Sequence, residues 1–353
     1  MKPTVIDLFA GVGGFSLGFE QAGFDIVLAN EYDKSIAHAY SENRPGIPMI
    51  VEDITRLSIG ETFDRFRGKT TVIIGGPPCQ GFSQKGKRKS VNDPRNFLFR
   101  YYFEVVDRVR PRYFVIENVP NLLTTEHGYF KQEIIELFGG IGYALSCGIL
   151  CASDFGVPQD RRRTCIIGRH GDTAVELPRP TRTRTTVWDA ISDLAYLNSG
   201  EDEEVQDYRL DAQSEYQTKL RRGLDRLYNH VATAHSKVTL ERLRLIPAEC
   251  GRETLPEEHL TRSIYSGAWC RLRKDGVSRT ITTRYDTPSS GMFTHPYLNR
   301  AITTREAARI QSFPDTYRFY GAKSSQMKQV GNAVPPLMAE AIARRILEDY
   351  RRK

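Results

Sequence analysis

One cysteine of the sequence lies in a segment whose composition suits catalysis. Cys79 is part of Gly75–Ser83 (GGPPCQGFS), where two glycines and two prolines after an apolar run predict a rigid, irregular turn. A rigidly presented thiol suits nucleophilic catalysis, although its ordinary pKa of about 8.5 means that nearby positive charge must help to form the thiolate. Glu117 follows the next apolar run and is a candidate acid beside the cysteine. The alternatives are a buried structural cysteine and a solvated carboxylate at a strand end.

A glycine-rich segment near the start of the sequence is typical of a site for a nucleoside-containing cofactor. Phe9–Gly14 (FAGVGG) follows a predicted strand and opens a predicted helix, where glycines let the backbone approach a ligand closely. The spacing is G-x-G-G, not the full dinucleotide fingerprint. Glu31 ends the second predicted strand, a position from which a carboxylate accepts hydrogen bonds from ribose hydroxyls. The alternative is a glycine turn needed only for packing of helix on strand.

A run of three arginines precedes another apolar segment. In Gln159–Arg163 (QDRRR), the alternate side chains Gln159, Arg161 and Arg163 would share one face of a strand. Such a run is often only a basic surface patch, so the arginines alone do not define a binding site.

The elements that must position these residues form an alternating pattern in the first half of the chain. Strands are predicted at Thr4–Phe9, Asp25–Asn30, Thr71–Ile74, Tyr113–Ile116, Tyr143–Leu150 and Thr164–Gly168, and helices at Phe15–Ala22, from Asp33 and at Phe97–Val109. The alternation indicates an α/β fold, with a mostly parallel sheet covered by helices on both faces. Ligands bind beyond the carboxyl ends of such strands, which places Ala10, Glu31, Gly75 and Glu117 along one edge.

Composition limits the possible classes of protein. The 353 residues suggest two domains, and 40% hydrophobic with 26% charged residues excludes disordered, collagenous and membrane-embedded chains. The net charge of +7 is compatible with a polyanionic partner. The cysteines lack paired spacing, so we expect neither disulfides nor a metal site. The apolar N-terminus resembles a signal peptide, but Asp7 interrupts it and no cleavage site follows, so we expect a cytoplasmic protein without membrane segments.

Six segments occur in an order that points to one family. They are FAGVGG, GGPPCQGFS, ENV, QDRRR, ITTREAARIQSFP and QVGNAVPP. In this set the chain resembles the DNA cytosine-5 methyltransferases, except between Pro180 and Arg279, where that family has its variable target-recognition region. The resemblance implies a Rossmann-like S-adenosylmethionine-dependent methyltransferase fold with a smaller inserted domain. Residues 1–180 plus 325–353 would form the catalytic and cofactor-binding domain, 181–300 the target-recognition domain, and 301–324 a hinge.

The resemblance also implies a reaction, transfer of a methyl group from S-adenosylmethionine to C5 of a cytosine flipped out of duplex DNA. Cys79 would add to C6, Glu117 would supply a proton at N3, and Arg161 and Arg163 would hold O2 and a flanking phosphate. Tyr32 stands where an aromatic side chain stacks on adenine, and Asp53 would bind the nucleobase amine unless it only caps a helix. The positions that match cofactor-binding positions of the family are Phe9, Ala10, Gly11, Val12, Gly14, Glu31, Tyr32, Asp53, Ile54, Pro78, Asn332 and Val334.

The segment directly after Cys79 is polar and basic. Gln80–Asn96 (QGFSQKGKRKSVNDPRN) suits a loop that closes over the DNA backbone, although such clusters are more often solvated loops or targeting signals. The compact chain favours a monomeric bacterial modification enzyme, associated with the nucleoid through DNA and paired with a cognate restriction endonuclease where one exists. The residues predicted to contact DNA are Gln80, Ser83, Lys85, Lys87, Arg88, Lys89 and Gln159.

Other functions explain fewer of these residues. A cytosine-5 tRNA methyltransferase of the same fold is the nearest alternative, but the long segment after QDRRR favours a domain that reads a duplex groove. An amino-methyltransferase would carry Asp or Asn before Pro-Pro, where this chain has Gly76. A nicotinamide oxidoreductase leaves Cys79 and Glu117 without a role, and a non-catalytic DNA-binding module does not need them.

Overall fold

The computed structural model describes residues 2–78, 98–123, 129–181, 183–201, 203–262 and 265–352. Its strands are β1 (Thr4–Leu8), β2 (Asp25–Asn30), β3 (Met49–Ile50), β4 (Val72–Gly75), β5 (Tyr113–Asn118), β6 (Tyr143–Cys151), β7 (Gln159–Asp160), β8 (Arg162–His170), β9 (Val205–Asp207), β10 (Arg226–Tyr228) and β11 (Ser278–Arg279). Its helices are α1 (Gly14–Ala22), α2 (Lys34–Asn43), α3 (Ile59–Phe63), α4 (Leu98–Val109), α5 (Tyr129–Gly139), α6 (Val187–Ile191), α7 (Glu215–Arg221), α8 (Lys237–Leu245), α9 (Thr304–Ile310), α10 (Lys323–Asn332) and α11 (Pro336–Arg351). None of the helices in these ranges is both long enough and apolar enough to span a bilayer.

The chain divides into two compact units. The first comprises Met1–Cys151, Arg162–Thr181 and Val334–Lys353, and the second comprises Ala152–Arg161 and Arg182–Ala333. The boundaries differ from the predicted ones, because residues 301–324, predicted as a hinge, and residues 325–333 both belong to the second unit. The assignment of target recognition to residues 181–300 stays a prediction.

The first unit is built on a seven-stranded sheet. The strand order is β3-β2-β1-β4-β5-β8-β6. Neighbouring strands from β3 to β5 are parallel, and β8 runs antiparallel to both β5 and β6. Every residue of β4 and β5 is buried, as expected for strands covered on both faces. This sheet confirms the predicted mostly parallel α/β class, and the predicted strands differ from the observed ones by no more than two residues at an end.

The last helix of the chain belongs to the first unit and packs against α1. Pro336 lies in the first turn of α11, where its missing N–H is harmless. A Cβ added to Gly18 of α1 would lie only 2.4 Å from the Cβ of Ala339. The two helices therefore approach so closely that only glycine fits at this position of α1.

The second unit has less regular structure and a polar interior. In its described residues, β9 pairs antiparallel with β10, and β7 pairs parallel with β11. Helix α9 is buried along its whole length, including Arg305, Glu306 and Arg309. A capping box between Thr303 and Glu306 starts this helix. This unit also contains a small apolar cluster, whose buried members are Leu243, Ile246, Leu255, Ala268 and Trp269.

Candidate active site at the carboxyl ends of the strands

The predicted site segments of the first unit meet at one edge of its sheet. Strands β2, β1, β4 and β5 are parallel neighbours, so their carboxyl ends lie side by side. The register aligns Leu8 with Asn30 on one side and with Gly75 on the other, and Gly75 with Ile116. The residues that follow these strands therefore line a common edge.

The glycine turn after β1 forms where the sequence predicts it and contains three residues with a left-handed backbone conformation. Phe9, Gly11 and Gly13 all have positive φ, of 57°, 55° and 89°. Gly13 caps the N-terminus of α1, and a Cβ there would lie 2.6 Å from the ring of Tyr40 and 2.7 Å from the guanidinium of Arg44. A Cβ on Gly11 would meet no atom within 4 Å among the described residues, so the turn at Gly11 presents open backbone.

Glu31 ties the glycine turn to the end of β2. Its Oε2 accepts a hydrogen bond of 2.9 Å from the Gly11 N–H, and its Oε1 accepts one of 2.9 Å from the Asp33 N–H. Burial raises the pKa of this carboxyl group, and the backbone donors partly oppose the shift. The next residue, Tyr32, leaves 69% of its surface exposed, which is unusual for a large aromatic beside a buried carboxylate.

The other predicted cofactor positions fall into three groups. Ala10 and Val12 are buried within the turn, and Gly14 is the first residue of α1. Asp53 accepts a hydrogen bond from the Thr55 N–H and caps the short 3-10 helix that begins at Ile54, so its capping role is observed. The remaining positions are Pro78 and Val334 in the first unit and Asn332 in the second.

Glu117 and Asn118 hold the turn that precedes the predicted nucleophile. The Asn118 side chain donates a hydrogen bond of 2.7 Å to the carbonyl of Pro77. A Cβ on Gly76 would lie 3.3 Å from Oε2 of Glu117, so the carboxyl group packs against the turn. No role is assigned from the sequence to Asn118, which is the second residue of the ENV segment. The signal for its role in holding the turn is a side-chain amide at the end of a strand, beside a predicted turn.

Arg163 is the charged partner of Glu117. Its Nε lies 3.0 Å from Oε1 of Glu117, and the two side chains are 15% and 11% exposed. The pairing of β5 with β8 places Arg163 here, since Glu117 lies opposite Cys165. Burial raises the pKa of Cys165 and of Cys147, which keeps both thiols protonated at neutral pH.

Gln159 and Arg161 lie in the second unit. Gln159 is fully buried, its Oε1 accepts from the Ile281 N–H at 2.7 Å, and its Nε2 donates to Oε1 of Gln311 at 2.8 Å. These bonds favour a structural role for Gln159 over the predicted DNA contact. The buried Arg161 donates from Nη1 to the carbonyl of Ile281 at 3.3 Å.

Several predicted site residues lie outside the described residues, and their roles stay predictions. They are Cys79, Gln80, Ser83, Lys85, Lys87, Arg88 and Lys89. Among the residues that are described, no group of three or more histidine, cysteine or acidic side chains lies close enough together to hold a metal ion.

Known proteins share both the fold and the sequence of this chain. The mostly parallel, seven-stranded sheet matches the fold of an α/β methyltransferase. A prophage-encoded E. coli protein, provisionally assigned as a DNA modification methyltransferase, superposes with a TM-score of 0.81 at 30% identity, covering 100% of both chains. The profile of the family described as C-5 cytosine-specific DNA methylase matches residues 3–348.

Two curated relatives cover nearly the whole chain. Type II methyltransferase M.DdeI of Desulfomicrobium norvegicum is 40% identical, over 97% of this chain and 88% of its own length. Type II methyltransferase M1.HphI of Haemophilus parahaemolyticus is 39% identical, over 99% and 87%. The chain therefore belongs to the C-5 cytosine-specific DNA methylase family, which confirms the predicted enzyme class.

Proposed function

We propose that this enzyme transfers a methyl group from S-adenosylmethionine to C5 of a cytosine in duplex DNA through a covalent bond between Cys79 and C6. The observation that carries the proposal is the Glu117–Arg163 pair, which packs against the turn directly before Cys79. The type II relatives support a role in restriction-modification, with a cognate endonuclease acting on the same site where one exists.

The edge beyond β1 and β2 fits the proposed cofactor. The open backbone at Gly11 provides room for a ligand, Glu31 offers a buried carboxylate for ribose hydroxyls, and the exposed Tyr32 offers a surface for an adenine ring. When bound, S-adenosylmethionine supplies an electrophilic methyl group on a sulfonium. The residues of the edge bind and orient this cofactor beside the turn that precedes Cys79.

Cytosine C5 is a poor nucleophile until C6 carries an added group. The Cys79 thiolate gives its electron pair to a C6–S bond, and Glu117 donates a proton to N3, so the ring becomes an enamine with a nucleophilic C5. C5 would then bond to the methyl carbon as the bond between that carbon and the sulfonium sulfur breaks, which leaves a neutral thioether, and C5 would afterwards lose its proton to a base. The C6–S bond would break, Cys79 would leave as the thiolate, and the N3 proton would return to Glu117. Arg163 holds the Glu117 carboxyl group in place. Its positive charge would also stabilise the negative charge that builds up at O2 of the ring and the charge of a flanking phosphate.

The remaining parts of the proposal concern DNA. The target base must leave the duplex stack to reach Cys79, and the basic residues between Gln80 and Lys89 support a contact with the DNA backbone. Residues 181–300, nearly all of them in the second unit, would read the target sequence, and Arg161 would contact the DNA or the base beside it. We expect a monomer that associates with the nucleoid through DNA.

A mechanism-based trap tests the covalent step. Duplex DNA with 5-fluorocytosine at the target site lacks the C5 proton that must leave, so the wild-type enzyme with S-adenosylmethionine should form an adduct that survives denaturing electrophoresis. Cys79→Ser should form none, whereas the matched control Cys147→Ser should form it normally. An adduct with Cys79→Ser would contradict the assignment of the nucleophile.

A further inference from the structure

A buried carboxyl group lies directly beneath the glycine turn. Asp7 is the fourth residue of β1 and only 1% exposed. Its Oδ2 accepts a hydrogen bond of 2.6 Å from the Ser16 hydroxyl in α1. The Ser16 oxygen in turn lies 2.9 Å from the hydroxyl of Tyr40 in α2. Three elements of the first unit are therefore connected by one short chain of hydrogen bonds that starts at Asp7.

The chain of hydrogen bonds ends at Tyr40, and the ring of Tyr40 contacts the glycine turn. The Tyr40 ring would lie 2.6 Å from a Cβ on Gly13, so it packs directly on that residue. Arg44 lies over the Tyr40 ring and donates to the Gly13 carbonyl at 3.0 Å. A change at Asp7 is thus transmitted to Gly13 through side chains in direct contact.

Charged and titratable groups surround Asp7 on every side that packs against it. Arg44, which is paired with Glu20 at 2.9 Å, attracts the ionised carboxylate, and Glu31 repels it. Burial and, to a smaller extent, the charge of Asp7 raise the pKa of Tyr102 in α4, whose hydroxyl donates to two strand carbonyls. Burial raises the pKa of Asp7 to about 7, while the Ser16 hydrogen bond and Arg44 oppose the shift. Asp7 therefore changes charge in the neutral range.

The two oxygens of Asp7 have different surroundings. Oδ2 holds Ser16, whereas Oδ1 is buried with no hydrogen-bond partner among the described residues. A proton can therefore reside on Oδ1 while the bond between Ser16 and Oδ2 stays in place. Ionisation changes the charge beneath the turn without dismantling the local structure.

We propose that Asp7 is a positioning residue of the cofactor site, acting on the glycine turn through Ser16, Tyr40 and Gly13, and that its ionisation tightens binding of the cationic cofactor. The inference rests on the proposed use of S-adenosylmethionine, whose sulfonium is positively charged. Negative charge beneath the turn favours such a ligand, so affinity should rise as the pH increases through neutrality.

The test is the dissociation constant of S-adenosylmethionine, measured by titration calorimetry from pH 5.5 to 8.5. For the wild type we expect a decrease of roughly five- to tenfold with a midpoint near neutrality. Asp7→Asn should lose most of this decrease and keep only the part that comes from titration of the ligand itself and of Glu31, whose pKa burial also raises. Ser16→Ala should move the midpoint to higher pH, because the Ser16 hydrogen bond lowers the pKa of Asp7. Asp64→Asn, which removes an exposed carboxylate paired with Arg108, should behave like the wild type.

The outcomes separate this inference from the proposed function. Identical pH courses for the wild type and Asp7→Asn, or an unchanged midpoint in Ser16→Ala, would overturn the role of Asp7 while leaving cofactor binding intact. If Asp7→Asn does not fold, the midpoint of Ser16→Ala decides alone. Failure of the wild type to bind S-adenosylmethionine at any pH would overturn the proposed cofactor and this inference with it.

Discussion

Each unit of the molecule contains an arginine–carboxylate cluster, and the two clusters are built in opposite ways. In the first unit, Arg163 pairs with Glu117 at the carboxyl end of the sheet, where the two side chains are 15% and 11% exposed. In the second, Arg309 donates from Nε and Nη2 to the two oxygens of Asp315, at 2.9 and 2.7 Å, and from Nη1 to Asp193, with every one of these side chains fully buried.

The difference lies in which hydrogen-bonding positions the protein fills. Asp315 also accepts from the Tyr208 hydroxyl at 2.6 Å, and Asp193 also accepts from Arg221, so both carboxylates are fully engaged. Oε1 of Glu117 faces Arg163 but has no hydrogen bond of good geometry among the described residues. A saturated buried network stabilises a fold, whereas a partly satisfied pair at an edge retains positions for a ligand.

The largest expected effect separates chemistry from stability at Glu117. Glu117→Gln keeps the shape of the side chain but removes the proton donor, so methylation of duplex DNA should fall by roughly 10²- to 10⁴-fold. The free energy of unfolding should fall by only about 1–2 kcal/mol, because Gln keeps the shape of the side chain and an oxygen that faces Arg163 in this nearly buried pair. Bisulfite sequencing of treated DNA and a denaturant titration measure the two quantities. Near-normal methylation by Glu117→Gln would show that the pair is only structural.

The next largest expected effect is at Arg309, where we expect the substitution to lower stability. Arg309→Met leaves Asp315 and Asp193 buried without their charged partner, which should lower the stability of the second unit by about 3–5 kcal/mol. Both tryptophans of the chain, Trp188 and Trp269, lie in this unit, so their fluorescence during a denaturant titration reports its unfolding.

A matched control uses the same substitution at an exposed pair. Arg284→Met in the same unit removes an arginine whose side chain is 71% exposed and which lies 3.8 Å from Asp286, so the cost should stay below about 0.5 kcal/mol. Equal effects of Arg309→Met and Arg284→Met on the tryptophan fluorescence transition would contradict the distinction between buried and exposed pairs.

The smallest expected effect is a pH dependence in the second unit. Burial lowers the pKa of His230 from 6.5 to about 3, although Glu306 partly opposes the shift. Below pH 6.5 His230 binds a proton in the unfolded chain but not in the folded unit. The contribution of His230 to the free energy of unfolding is therefore complete above pH 6.5 and is lost as the pH falls towards 3. Stability should drop by about 2 kcal/mol between pH 6.5 and 4.5 from this residue.

Tryptophan fluorescence at several pH values checks this expectation. His230→Gln should lose correspondingly less stability on acidification, while His259→Gln, at a partly exposed position of the same unit, should follow the wild type. A steeper acid loss in His230→Gln than in the wild type would rule out the assigned direction.

The sequence predicts the first unit far better than the second, for a physical reason. Strands such as Val72–Gly75 are continuous apolar runs, and the polar residues after them mark the edge where ligands bind. Helix α9 is just as deeply buried, but its interior positions are Arg305, Glu306 and Arg309, which hydrophobic periodicity assigns to a surface. The resemblance implies a hinge at residues 301–324, whereas this helix is buried in the second unit, where Arg309 pairs with Asp315, six residues further on, and with Asp193, which is distant in sequence.

Within the site, the local motifs were visible from sequence, but the contacts between them were not. From the sequence, Asp7 is notable only because it interrupts an apolar N-terminal run. Nothing in the sequence shows that Ser16 bonds to Asp7 or that Tyr40 bonds to Ser16. Likewise, the predicted face shared by Gln159, Arg161 and Arg163 assumed a single strand, whereas β7 and β8 are separate strands in different units.

The close packing of α11 on α1 has a consequence for the order in which the polypeptide matures on the ribosome. Residues 182–333 emerge before Pro336–Arg351, so the second unit can be complete while the face of α1 around Gly18 still lacks its partner. Domains generally fold in the order of their synthesis, but here the unit that starts first must finish last. Nascent chains that stop before Pro336 would expose an apolar helix face beside the glycine turn, and we expect cellular proteases to remove them.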